Sequence, residues 1–93
     1  MVPETRMELI ARLRSMGPAD RSVLMALIEN PGAAQMTAPE SPLHVLWQQL
    51  AIRGWSELAP EGKMLGPGMV LFRLTEMGQR DFPGLVRDAL GSH

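Results

Sequence analysis

The chain contains no cysteine, so neither a disulfide framework nor a thiolate metal site is open to it. It has no apolar run approaching the roughly 18 to 20 residues that a membrane-spanning helix needs. Its start, Met1-Val2-Pro3-Glu4-Thr5-Arg6, lacks the charged-then-apolar order of a signal peptide. These absences lead us to expect a soluble, cytoplasmic protein with no membrane partner. Charge of one sign is missing too. Nine Lys and Arg against ten Asp and Glu give a net charge of −1, so no overall positive field draws the protein to nucleic acid. Histidine is limited to His44 and the terminal His93, too few for convergent metal ligands or a partnered proton relay. Ser15, Ser22, Ser41 and Ser56 sit in no nucleophile motif, and helix capping explains His44 near Ser41. We therefore expect no enzymatic activity, no metal and no cofactor.

What is present is globular: 45% hydrophobic and 20% charged residues. At 93 residues the chain makes one domain, able to bury about two-thirds of its unfolded surface. Pro3 suits a first helical turn, and Leu9, Ile10, Leu13 and Met16 follow the spacing of one helix face, with Glu8 placed to pair with Arg12. Gly17-Pro18 stops that helix and Pro18 starts a second, whose stripe is Val23, Leu24, Leu27 and Ile28. Residues 31–40 hold at most a short helical turn from Ala33 to Thr37, because Pro39 pushes Ala38 toward an extended conformation. A third helix is bounded by Ser41 as N-cap, Pro42 as first residue and Gly54 as left-handed ending. Its face of Leu43, Leu46, Trp47, Leu50 and Gly54 belongs to the core.

Residues 55–59 and 69–74 alternate as two antiparallel strands around the glycine-rich loop PEGKMLGPG, a ribbon that needs helices over one face. A short helix follows Thr75, then Asp81-Phe82-Pro83, then a last helix with Leu85, Val86, Ala89 and Leu90. The expected fold class is mainly α with a small β-hairpin, an α+β architecture ordered helix, helix, short turn, helix, strand, wing, strand, helix.

The run LWQQLAIRGWSEL, a glycine-bounded loop and then FRLTEMGQR resembles the second half of a winged helix-turn-helix domain over roughly residues 18–82. Such domains end the recognition helix in a leucine, spacer, glycine pattern, form the wing, and close with a Leu-Thr-x-x-Gly turn. The resemblance implies a winged-helix core at 18–82, an N-terminal helix extension at 1–17, and a C-terminal helix and tail at 83–93. It departs from the family where a complete second helix should precede the recognition helix. Gly78 fits the closing turn: Thr75 caps the helix start, and a residue without a β-carbon lets the opening turn lie against neighbouring backbone.

The resemblance implies a DNA-binding transcription regulator, and because a small core gains from self-association, a homodimer in which the apolar terminal helices pair is expected. Away from its core face the third helix presents Val45, Gln48, Gln49 and Ile52, flanked by His44 and Arg53. Gln48 and Gln49 match adenine edges and Arg53 matches guanine or phosphate, while Lys63 and Arg73 are the cations near the wing. Solvated charge is the plainer account of those two. The segment GKMLGPG is no phosphate loop, because Lys63 is followed by Met64 where Ser or Thr is required. Against DNA, Val45 and Ile52 sit centrally on the presented face, as an interaction or dimerisation surface would have them, and Met64 and Met69 flank the wing as adaptable contacts. On the residues alone the two partners, double-stranded DNA and another protein, stand level; the resemblance tips toward DNA.

Overall fold

The computed structural model describes residues 2–38, 40–59 and 70–91. Among the described residues four helices and three short strands follow in the order α1 (Arg6–Arg14), α2 (Pro18–Glu29), β1 (Gln35–Thr37), α3 (Pro42–Ile52), β2 (Ser56–Leu58), β3 (Val70–Leu74) and α4 (Glu76–Leu90). This is the expected α+β class, with one strand more than the sequence pattern suggested.

Each helix start has a local cause. Thr5 caps α1 in a reciprocal box: its hydroxyl accepts from the Glu8 amide and the Glu8 carboxylate accepts from the Thr5 amide. Glu8 is thereby occupied, and Arg12 pairs with Glu4 rather than with Glu8. Helix α1 thus begins at Arg6, not in the turn after Pro3. Pro18 opens α2, and Ser41 accepts from the His44 amide ahead of Pro42 in α3. Gly54 follows α3 with φ of 81°, the left-handed geometry that reverses the chain into β2.

The sheet is antiparallel with order β1-β3-β2. The segment expected to hold a helical turn from Ala33 to Thr37 is instead β1, paired to β3 with Gln35 opposite Phe72 and Thr37 opposite Val70. Three residues are too few to display a period of two, so only the open edge of β3, a non-local partner, reveals the strand. Strand β2 covers the other edge, with Ser56 opposite Leu74 and Leu58 opposite Phe72.

The core lies where α3 crosses the sheet and where α1 and α4 pack together. Leu46, Trp47 and Leu50 are buried as their helical stripe requires, and Trp47 stacks on Phe72 with centroids 5.6 Å apart and planes 6° from parallel. Leu9 and Leu13 of α1 lie fully buried alongside α4, which contributes Phe82, Leu85 and Val86. Helix α4 is continuous through Pro83, where the sequence suggested two helices. An interior proline costs a helix about 3 kcal/mol. Burying Phe82, Leu85 and Val86 contributes about 1.5–3 kcal/mol each, so packing outweighs the break.

Candidate interaction face

The fold treats the residues of α3 that lie off its leucine and tryptophan face in different ways. His44, Gln48, Ala51 and Ile52 recur at the four- and three-residue intervals of one stripe. With Leu58, Val70 and Phe72 of the sheet they line an open trough of about 510 Å³. Phe72 packs under Trp47, and Val70, two residues before it, shares its face of the sheet. Leu58 stands opposite Phe72 across the ribbon. The trough is therefore the continuation of the α3–sheet core past the point where α3 stops covering it. Ile52 is 41% exposed and Leu58 66% exposed. Among the described residues, none that lines the trough carries a carboxylate, ammonium or guanidinium group.

His44 is fixed at one end of this stripe. Its Nδ1 lies 3.1 Å from the hydroxyl of the buried Thr37, and its ring meets the edge of Phe72 at 5.6 Å. Val45 is half-buried and Gln48 is half-buried on the trough wall.

Gln49 does not face a groove-binding partner as the sequence suggested; it is only 4% exposed. Its side-chain oxygen accepts from the Glu4 amide at 2.8 Å and its nitrogen donates to the Val2 carbonyl at 3.2 Å. Arg53 is engaged by the same N-terminal segment, donating to the Glu4 carbonyl at 3.0 Å, while its guanidinium sits 4.8 Å above the Trp55 ring. The helical wheel put Gln49 on the presented side of α3, and the structure buries it there beneath the N-terminal segment. The wheel carried no information that residues 2–4 return to Gln49 and Arg53, because that contact spans more than forty residues.

Arg73 pairs with Glu57 across the ribbon, its Nε 2.8 Å from the carboxylate. Lys63, Met64 and Met69 lie outside the described residues. Seven arginines, including Arg6, Arg12 and Arg14 of α1, donate to carboxylates or carbonyls within the chain. Among the described residues no group of three or more His, Asp or Glu is placed to hold a metal ion, and no helix is long and apolar enough to cross a membrane.

Glu4 is the polar hub of the N-terminal segment. Hydrogen bonding from Arg12, at 2.9 Å through Nε and 2.5 Å through a terminal nitrogen, holds its carboxyl below the usual glutamate range against the opposing effect of burial. The same contact raises Arg12 above the ordinary arginine value.

Comparison with protein-family models, with curated proteins and with solved structures finds no match. The geometry of the trough and of the segment over α3 is what bears on function.

Proposed function

We propose that this chain is a protein-interaction module on a winged-helix-like frame, and that it contacts its partner through the trough between α3 and the sheet. The order of one helix laid over an antiparallel sheet and followed by a closing helix supports the frame. The contact surface rests on one observation: the trough beside α3 is uncharged and carries the exposed apolar side chains Ile52 and Leu58 with Val70 and Phe72, its polar members being His44 and Gln48, while Gln49 and Arg53 are taken up by the chain itself. Contiguous exposed apolar surface of this kind marks a site that another molecule covers. A duplex reader needs the reverse arrangement, with free guanidinium and amide groups aimed at phosphates and base edges.

The terminal helices that the sequence suggested would pair between two copies instead pack on one another within one chain, with Leu9, Leu13, Leu85 and Val86 fully buried. Dimerisation through those helices thus loses its apolar faces.

Two measurements test the proposal. A peptide library selected against the folded chain is expected to yield apolar binders that Ile52→Asp and Leu58→Asp abolish without changing the circular dichroism spectrum. Fluorescence anisotropy with a random-sequence duplex at low salt is expected to show no binding. Salt-sensitive duplex binding that Arg53→Ala weakens and Ile52→Asp leaves intact would overturn the proposal in favour of a DNA-binding regulator.

A further inference from the structure

The segment Val2–Glu4 is held on α3 in an unusual way. Val2 is 81% exposed and Pro3 is exposed as well, so the segment contributes little apolar burial. Its attachment is polar and complete at one residue. The Glu4 amide donates to Gln49, the Glu4 carbonyl accepts from Arg53, and the Glu4 carboxylate accepts two bonds from Arg12. Gln49 adds a bond to the Val2 carbonyl, so one buried side-chain amide clasps a donor and an acceptor of the same short backbone.

Those contacts divide into two kinds of recognition. Gln49 and Arg53 bind main-chain groups, which any peptide carries. Arg12 binds a carboxylate through two nitrogens, which selects an acidic side chain over a neutral or basic one. We infer that Gln49, Arg53 and Arg12 form a receptor site for a linear peptide bearing a carboxylate side chain, filled here by the chain's own Val2-Pro3-Glu4. The site lies on a different side of α3 from the trough and does not depend on the function proposed for it.

A tethered occupant acts at an effective concentration in the millimolar range, so a free peptide competes only when the tethered one is weakened. Glu4→Gln removes the charge and keeps the shape. The experiment titrates the isotope-labelled full chain with the amide-capped peptide Met-Val-Pro-Glu-Thr, following the side-chain amide resonances of Gln49 and the Nε–H resonance of Arg12. The Glu4→Gln chain is expected to give saturable shifts at both positions, with affinity about tenfold or more above that of the native chain. The same peptide with glutamine in place of glutamate is expected to bind about tenfold more weakly or worse. Pro3→Gly, at an exposed position that leaves Glu4 in place, loosens the tether by a second route and is expected to strengthen peptide binding in the same direction. Absence of saturable shifts in both variants, or equal binding of the glutamate and glutamine peptides, would show that the segment is a fixed part of the fold and overturn the inference.

Discussion

Gly78 sits in the first turn of α4, where helix propensity alone favours alanine by about 1 kcal/mol. A β-carbon built there would stand 2.8 Å from the Trp55 carbonyl carbon and closer still to its oxygen. Backbone on both sides leaves no rotamer to relieve the overlap, so the clash, of about 1–3 kcal/mol, outweighs the propensity gain. Gly78→Ala is expected to destabilise the protein, and a urea midpoint that rises on this substitution would reject the close approach. Thr75 creates that approach: its amide donates to the Trp55 carbonyl at 2.9 Å and its hydroxyl to the Gly54 carbonyl at 2.6 Å, while the same oxygen accepts from the Gly78 amide. The glycine's purpose was readable from its place after Thr75. Its neighbour was not, because Trp55 lies in a different element.

At the scale of elements, the helix ends carry measurable energy. Thr75→Ala removes both the cap of α4 and its tie to the end of α3, and is expected to cost about 1–2 kcal/mol in denaturant unfolding. The N-terminal segment responds to pH. Because Arg12 keeps the folded-state pKa of Glu4 below its unfolded value, the contribution of this pair is full above about pH 4.3 and falls away as pH drops through the lower folded-state pKa. Thermal unfolding measured from pH 6 downward is expected to show a steeper acid decline in the native protein than in Glu4→Gln; parallel curves would mean that the pair contributes nothing. The element that sequence inspection assigned otherwise, β1, owes its existence to β3, and no local pattern in Gln35-Met36-Thr37 announces it.

For the whole molecule, α1 is part of the core. The resemblance to a winged helix placed residues 1–17 outside it, yet Leu9 and Leu13 are among the fully buried side chains. Removing one such leucine costs about 2–5 kcal/mol, a large share of the 5–15 kcal/mol that stabilises a typical domain. Leu13→Ala is therefore expected to lower the melting temperature sharply, and a chain starting at residue 18 is expected to be unfolded by circular dichroism. A stable 18–93 fragment would show that α1 is an accessory. Leu58→Asp is expected to leave stability within about 0.5 kcal/mol because that side chain is mostly in solvent, and Ile52→Asp, at a partly covered position in the last turn of α3, to cost about 1 kcal/mol without unfolding the chain.

Sequence alone determined the starts of α2, α3 and α4 at Pro18, Ser41-Pro42 and Thr75, the leucine and tryptophan face of α3, the ribbon after it and the reason for Gly78. These follow from spacing and from backbone chemistry within a few residues. Tertiary structure decided the third strand, the unbroken course of α4, the union of α1 with α4 and the fate of the polar face of α3. Gln49 and Arg53 carry the side chains of a groove-reading surface, but what they bind depends on which distant backbone arrives beside them. No local period encodes the arrival of Val2 and Glu4.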